Sequence, residues 1–456
     1  MNKHYIFLFI LIFLCSCSTV KENDEDLEIL FKISDSLASS EVVKTKKGKK
    51  ITQLKDLVDL ALKNNPQIKS ARYKWKATAE KYPQATSLPD PVLTYTFFLK
   101  EPETRVGPQR HKVSIMQYIP FPRKLYLKGE MVKDNTKIAH LAYERTIRDV
   151  LTKVQKHFYE LVYIESAIEI TKKNEDLVSQ LIQVASVENS NGKAPLSDLM
   201  KGQSQLAQLG YDRIRLEELR QVEIGQLNAL LSQNPQDAIQ LDNLIFDEAE
   251  ELQSFEALQQ YALVNNQEIL ASKVAITKAD HQLALAFSEY FPDFSIGASW
   301  TQVDRTLSGF NFDFDDDGQD ISAITFGINL PIWIPKRSAR VRESKYNINH
   351  TKETRKNIEN QLAAELKKVY YKVSNSKRLI KLYKDRLLPE ANNSIQISEN
   401  WYRDGEKSLL TVIESQSVWL NFSLALARAQ SDYAQGIVTL SQLCGGSLPQ
   451  ALAEEK

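Results

Sequence analysis

The first side chain whose type and position could undergo chemistry is a cysteine near the start of the chain. Lys3 and an apolar run over residues 5–14 precede the string Leu14-Cys15-Ser16-Cys17. The run is too short to cross a bilayer as a helix, which needs ~20 residues, but it has the length of a signal-peptide core. An aliphatic residue, two small residues and a cysteine form a bacterial lipobox. The sequence therefore predicts cleavage before Cys17 and acylation of its thiol.

A second pattern could bind calcium. The string Asp313-Phe314-Asp315-Asp316-Asp317-Gly318 matches the first half of a D-x-D-x-D-G calcium loop. Position twelve of such a loop needs a bidentate carboxylate, and here it is Ile324. We therefore expect a solvated acidic loop at 313–317, and calcium titration of the purified protein tests this expectation.

Patterns typical of catalysis are missing from the sequence. None of the six histidines has a second ligand at metal spacing, and no Gly-rich phosphate loop, H-E-x-x-H or G-x-S-x-G occurs. Lys+Arg and Asp+Glu both number 58, and this zero net charge argues against a nucleic-acid partner. We expect no enzyme activity, no metal site and no cofactor apart from the lipid on Cys17.

The body of the chain consists of two copies of the same unit. Residues 57–68 recur as residues 258–269. Further markers follow in the same order, at spacings between the copies that grow slowly along the chain: Pro91 and Pro292, Pro120 and Pro331, Gly192 and Gly405. Such a series is expected for a duplication followed by loop insertions.

The duplication sets the predicted domain boundaries. The first repeat covers residues 51–244 and the second covers residues 245–445. A signal peptide (1–17) and an N-terminal tether (18–50) precede them, and a short tail (446–456) follows.

Each repeat contains a helix, a pair of alternating segments and two long helices. Helical patterns cover residues 52–85, 130–191 and 195–231 in the first repeat, and 255–290, 336–388 and 408–443 in the second. Gly and Pro are absent from 130–191, and at 1.5 Å per residue such a helix reaches roughly 90 Å. Helices of this length must pack as antiparallel coiled-coil pairs. Their bends are predicted at Asn191-Gly192-Lys193 and Asp404-Gly405-Glu406.

The alternating segments are predicted strands, at about 92–100, 112–120, 293–303 and 321–331. Each has one apolar face and one mixed or polar face. A water-soluble sheet with its apolar face on a core gives the same alternation, but an exported chain offers only the long helices to cover these faces. About nine to eleven residues is also the length of a tilted transmembrane strand.

Four strands are too few to close a membrane barrel, because the smallest single-chain barrels have about eight. Open edges in lipid would leave backbone groups unpaired at several kcal/mol each. Two or more copies must therefore share one barrel. Two copies would give a barrel filled by side chains, and three would enclose a lumen, which a transport role favours.

This order of elements behind a lipobox resembles the outer-membrane efflux protein (TolC) family over residues 51–445. Three strings support the resemblance: Ala61-Leu62-x-Asn64-Asn65-Pro66, Leu88-Pro89-Asp90-Pro91, and Gln117-Tyr118-Ile119-Pro120-Phe121-Pro122-Arg123-Lys124. The last two are similar to the heavy-metal efflux branch, with Arg123 in place of its usual Gly. The resemblance implies an α+β membrane protein: a homotrimer whose shared twelve-stranded outer-membrane β-barrel continues into a periplasmic coiled-coil barrel of twelve helices. Such proteins are passive exit ducts that dock on a periplasmic adaptor and an inner-membrane pump.

The resemblance also implies two sites. The adaptor meets the hairpin bends, which are here Asn191, Gly192, Lys193, Asp404, Gly405 and Glu406. Acidic rings narrow the periplasmic entrance, and the matching positions are Thr411 and Glu414, with Asp198 in the first repeat. Three copies of Glu414 around one axis would repel one another and attract cations. A solvated helix carboxylate is the alternative interpretation of Glu414.

Two other classes of protein remain as alternatives. A lipid-anchored periplasmic adaptor also has a helical hairpin, but it adds a Gly-rich lipoyl-like module and does not duplicate strand pairs. A structural coiled-coil lipoprotein leaves the bilayer-length segments unexplained. Retention in outer membranes after carbonate washing, with a trimeric species, would favour the duct.

Overall fold

The computed structural model describes residues 53–192, 195–241, 252–305, 317–446 and 448. Cys17, the predicted tether, Lys193, residues 313–316 and most of the predicted tail lie outside this part. The first repeat contains α1 (Leu54–Asn64), α2 (Pro66–Ala79), α3 (Lys81–Thr86), β1 (Val92–Phe97), β2 (Glu103–Thr104), β3 (Gly107–Ile119), α4 (Pro122–Ser190) and α5 (Leu196–Leu231). The second contains α6 (Phe255–Asn265), α7 (Gln267–Ser288), β4 (Asp293–Val303), β5 (Ile321–Asn329), α8 (Ile334–Leu382), a π-helical turn (Tyr383–Leu387), α9 (Leu388–Arg403) and α10 (Leu409–Leu443).

Several predicted boundaries were wrong in the first repeat. β3 begins at Gly107, well before the predicted start at 112, and β1 ends at Phe97. The long helix α4 begins at Pro122 and not near residue 130, because proline is well tolerated in the first helical turn. Gly129 lies inside this helix, where a Cβ atom would come within 2.8 Å of Thr86 in α3. The glycine therefore permits close helix packing and does not end the helix.

One asparagine in each repeat divides the predicted first helix and ties it to the last one. Asn65 Oδ1 accepts hydrogen bonds from the backbone N–H groups two and three residues later, at 2.8 and 3.3 Å, and its Nδ2 donates to Leu230 O at 2.9 Å. Asn266 makes the same bonds, at 2.9 and 3.3 Å, and donates to Leu443 O at 3.0 Å. Each side chain caps a helix start and binds the end of the returning long helix. The predicted duplication is thus confirmed down to a single side chain.

The hydrophobic cores of the two repeats also correspond. The first cluster joins α1, α2, α4 and α5, and the second joins α6, α8 and α10. Fully buried residues occupy equivalent positions in the two copies: Val154 and Leu366, Leu161 and Val373, Leu227 and Leu440. Helix α4 also packs along α7 and α10 and thereby holds the two repeats together.

The second long helix contains one residue more than the first. Before the π-helical turn the buried Ile164 corresponds to Ser376, and after it the buried Ala185 corresponds to Ser398. The interval between these two positions is longer by a single residue in the second repeat. The π-helical turn at residues 383–387 lies in this interval and absorbs the additional residue. Each repeat therefore keeps the same buried face on both sides of this turn.

The predicted end of this helix at Leu388 was wrong. The helix continues through the π-helical turn and Pro389 as far as Arg403. Leu388 N–H donates to Tyr383 O, five residues earlier, so the backbone is already displaced from α-helical bonding where the proline follows. A proline can follow such a turn without opposing a regular i to i−4 bond.

The strands form one antiparallel sheet in the order β1-β3-β4-β5, and the short β2 pairs with β3. The central seam joins the two repeats, since β3 belongs to the first and β4 to the second. This register corrects one marker of the duplication. Ile115 and Phe326 are counterparts, because each lies five residues before its marker, Pro120 or Pro331. Leu93 lies opposite Ile115, and Ile296 lies opposite Phe326, so Leu93 and Ile296 are counterparts as well. Pro292 therefore corresponds to Pro89 and not to Pro91.

One helix in the described part of the chain, α10, is long and apolar enough to cross a membrane by length and composition. It packs along α4, α8 and α9. Its apolar surface therefore contributes to the packing of the long helices.

Candidate functional site

The sheet has an apolar face that no other part of the described chain covers. Residues directly opposite each other on neighbouring strands share a face, and one face carries apolar side chains across all four strands. Its rows include Leu93, Ile115, Ala298 and Ile324, then Tyr95, Val113 and Trp300, then Ile119, Phe294 and Ile328. Exposure reaches 77% at Phe326 and 70% at Leu93. A continuous exposed apolar face of this kind is suited to contact with lipid.

The opposite face of the sheet is mixed, with many small and polar side chains beside a few larger ones such as Met116 and Tyr118. Its rows include Thr94, Ser114 and Ser299, then Thr96, Lys112 and Thr301, then Gly297 and Thr325. The alternation of the two faces continues across the repeat boundary between β3 and β4 without a change of side. The same sheet can therefore face lipid on one side and water on the other.

The sheet also ends in two open edges. β1 pairs only with β3, and β5 pairs only with β4, among the strands of the described chain. The outer backbone groups of both strands therefore lack strand partners within a single copy. In water this arrangement invites pairing with another strand, and in lipid it requires such pairing.

A buried lysine fixes the sheet to the helices. Lys124, at 9% exposure, donates from Nζ to Asp293 Oδ1 at 2.7 Å and to Phe291 O at 2.9 Å. Phe121 N–H donates to the same carboxylate oxygen at 2.8 Å, and the Phe121 and Phe291 rings stack with their centroids 4.8 Å apart. We call these four residues the junction clamp. It joins the β3–α4 junction of the first repeat to the α7–β4 junction of the second.

In the sequence Lys124 is part of a family-like string, and its structural role was not predicted. The signal was a lysine two residues after Pro122, close to the end of a predicted membrane strand. Burial of an ammonium group is costly unless it is paired and hydrogen-bonded, so a buried partner was to be expected. Its partner Asp293 belongs to the other repeat, far away along the chain, and no local pattern could identify it.

The two hairpin bends lie at the far end of the long helices and are fully open. Gly192 and Gly405 have φ values of +73° and +75°, which favour glycine. Apart from the chain neighbours of each glycine, no atom of the described residues lies within 4 Å of an added Cβ atom at either position. Asn191, Asp404 and Glu406 are exposed beside them, while Lys193 lies outside the described residues. The predicted tip residues that can be located thus form two similar exposed bends.

The three predicted entrance residues differ in their surroundings. Glu414 is exposed and Thr411 is half-buried, one helical turn apart on α10. Asp198 in the first turn of α5 is only 6% exposed, and Ser197 Oγ donates to its Oδ1 at 3.3 Å. Burial of Asp198 does not fit a carboxylate that lines an open entrance. Glu414 and Thr411 share one face of α10, whereas Asp198 is buried in α5, and the role of the three residues at an entrance stays a prediction.

Asp198 lies near Tyr402, a half-buried tyrosine on α9. Burial of the Tyr402 ring, and after it the carboxylates of Glu188 and Asp198, raise the pKa of the Tyr402 hydroxyl. The first turn of α5, in the first hairpin, therefore lies close to the last turn of α9, in the second.

The calcium pattern is only partly located. Asp317 and Gly318 are described, and Gly318 N–H donates to Val106 O at 2.8 Å, while residues 313–316 lie outside. Among the residues with a described position, no group of three or more His, Cys, Asp or Glu side chains could hold a metal ion. The expectation of a solvated loop remains a prediction.

Comparison with known proteins agrees with this architecture. Residues 258–446 match the sequence profile of the outer membrane efflux protein family. The outer membrane protein TolC of Vibrio cholerae serotype O1 is 17% identical over 400 residues, which cover 86% of this chain and 90% of that protein.

Solved structures show the same fold. The outer membrane protein VceC of Vibrio cholerae superposes with a TM-score of 0.71 at 17% identity, covering 87% of this chain and 97% of VceC. CusC, which brings the heavy-metal branch into the comparison, has a TM-score of 0.67 at 15% identity, covering 87% of this chain and 92% of CusC. At such identities the likeness shows the fold, and the assignment to the heavy-metal branch stays a prediction. Residues 258–446, which span most of the second repeat, thus match the outer membrane efflux protein family, and the described chain as a whole has the fold of TolC-like channels.

Proposed function

We propose that the chain is the outer-membrane exit duct of a tripartite efflux system. The observation that carries this proposal is the open four-stranded sheet with an uncovered apolar face. Such a sheet can remain in lipid only when other copies pair with its edges. Three copies would supply twelve strands, enough to enclose an aqueous lumen lined by the mixed face.

The proposed duct conducts passively. It supplies a path for small solutes from the periplasm to the exterior, with heavy-metal cations or drugs as the candidate cargo. The inner-membrane pump supplies the energy and selects the substrate. Measuring the metal and drug sensitivity of a deletion strain tests which cargo depends on this chain.

Partner docking is assigned to the hairpin bends. The exposed bends at Gly192 and Gly405 lie at the end of the helices opposite the sheet, where a periplasmic adaptor would meet them. The two bends have nearly the same backbone geometry, which would present six similar tips in a trimer. Acylation of Cys17 would hold the mature chain to the same membrane that contains the barrel, and mass spectrometry of the mature N-terminus tests it.

The periplasmic entrance is assigned to Glu414 and Thr411. Three copies of Glu414 around the axis would place three carboxylates at one level, where they attract cations and repel anions. We expect Glu414→Ala to raise single-channel conductance in planar bilayers and to weaken cation preference. Glu390→Ala removes an exposed carboxylate from α9 and serves as the matched control, with unchanged conductance expected.

The outcomes separate the entrance from the duct. Unchanged conductance in Glu414→Ala would remove Glu414 from the entrance and leave the duct standing. Absence of channels from the purified wild-type protein would contradict the duct itself.

A further inference from the structure

The open edges of the sheet are counterparts of a seam that already exists inside the chain. Within one copy, β3 of the first repeat pairs with β4 of the second. In a ring of copies, β5 of one copy would meet β1 of the next, so that a second repeat is followed by a first. The internal seam is therefore a template for the seam between copies.

The junction clamp can be transferred onto this second seam by the duplication. Counted from the helix starts at residues 122 and 334, Lys336 is the counterpart of Lys124 and Trp333 is the counterpart of Phe121, with one additional residue between Pro331 and the start of α8. The strand register makes Pro89-Asp90 the counterpart of Pro292-Asp293, so Asp90 corresponds to Asp293 and Leu88 to Phe291. Both halves of a second clamp are thus present in the sequence, at the two opposite edges of one sheet.

These four counterparts are exposed in a single copy. Lys336 and Asp90 are exposed, and neither has an ion pair or a side-chain hydrogen bond among the described residues. Trp333 is 70% exposed and Leu88 is 49% exposed. In the internal clamp the corresponding lysine is buried and the corresponding rings stack. The charges are opposite and the apolar side chains lie beside them, which is the complementarity that a second copy requires.

We propose that adjacent copies repeat the junction clamp, with Lys336 of one copy donating to Asp90 of the next and Trp333 packing on Leu88. The inference rests on the proposed shared barrel and specifies how its seams are made. It also fixes the strand register between copies. Gln117 lies opposite Ile296 in the internal seam, so Ile328 lies opposite Leu93 of the next copy and Phe326 opposite its Tyr95.

This register continues the apolar face around the barrel. Phe326 and Tyr95, like Ile328 and Leu93, are exposed apolar residues of that face in a single copy. A slip of one residue, or of any odd number, would place Phe326 opposite a residue of the other face, and therefore only slips of an even number of residues compete with the proposed register.

Cysteine cross-linking tests the register. Directly opposite residues on antiparallel strands have Cα atoms about 4.5–5.5 Å apart, within the range of a disulfide bond. We expect Phe326→Cys combined with Tyr95→Cys to give covalent dimers and trimers on non-reducing gels. Phe326→Cys combined with Leu99→Cys, four residues away, is the matched control and should give monomers. The native Cys444 does not compete, because burial raises the pKa of its thiol to about 11.

Charge reversal tests the clamp itself. Asp90→Lys and Lys336→Asp should each reduce the trimer fraction measured by light scattering in mild detergent. The double variant should restore it, because the pair is re-formed with its charges exchanged. If the wild-type protein is a trimer, two results would overturn the clamp and leave the duct standing. One is cross-linking of Phe326→Cys with Leu99→Cys, and the other is a double charge-reversal variant that does not restore the trimer fraction. A wild-type monomer in detergent would overturn both.

Discussion

The two long helices that descend from the sheet share one buried face but not one backbone. Helix α4 runs unbroken from Pro122 to Ser190, whereas its counterpart is divided into α8, a π-helical turn and α9. Buried positions correspond on both sides of the turn, although the second repeat contains an additional residue between them. The two helices therefore keep the same packing face, and the additional residue is confined to the π-helical turn.

Single-residue deletions in the two helices should give the largest difference in stability. Deleting Glu169 from α4 would rotate the distal part of the helix by about 100° and turn Val178 and Ala185 out of their core. We expect a loss of more than about 3 kcal/mol, measured by thermal unfolding in detergent. Deleting Lys384 from the π-helical turn, together with Pro389→Ala, should leave stability near the wild-type value. Equal losses from the two deletions would show that the turn does not hold the additional residue.

Removing the buried lysine should have the next largest effect. Lys124→Met leaves the half-buried Asp293 carboxylate without its cation, and the loss of this charge-assisted hydrogen bond costs about 2.5 kcal/mol. Lys356→Met removes an exposed lysine from a pair with Glu353 and is the control, with a change below about 0.5 kcal/mol expected. Chemical denaturation of the detergent-solubilised protein measures both. Similar losses would mean that the junction clamp adds no more than a surface pair.

The paired asparagines give a smaller effect that compares the repeats directly. Asn65→Ala removes a helix cap and leaves Leu230 O without its side-chain donor, and the site is almost fully buried, at 2% exposure. We expect a loss of about 2 kcal/mol for Asn65→Ala and about 1 kcal/mol for Asn266→Ala, whose site is half-buried. Thermal melts of the two variants under the same conditions give the ratio. A larger loss at Asn266 would contradict the role assigned to burial.

The smallest effect is expected at the bends. Gly192→Ala and Gly405→Ala each force a side chain into a positive-φ conformation but meet no neighbouring atom, so each should cost about 1 kcal/mol and act locally. Hydrogen exchange should become faster in the last turns of α4 and α9 and remain unchanged in the cores. An equal change in both variants is predicted, and exchange that spreads to the cores would refute the local effect.

The order of the elements, the open sheet and the two bends could be predicted from the sequence, because they depend on local periodicity and on glycine positions. The π-helical turn could not, because Pro389 resembles an ordinary helix end unless the buried positions of both repeats are aligned. The role of Asn65 in binding the end of α5 could not be predicted, because its partner Leu230 is far away along the chain. The surroundings of Lys124 and Asp198 depend on residues of the other repeat. Only the folded chain shows that Lys124 is paired with Asp293 and that Asp198 is buried.

The central claim is that several copies of this chain close one membrane barrel. Electron cryomicroscopy of the purified protein in lipid nanodiscs tests it directly, because the strands around the lumen can be counted. We predict twelve strands from three copies, with β5 of each copy beside β1 of the next. Particles that contain a single copy with both sheet edges free would contradict the account.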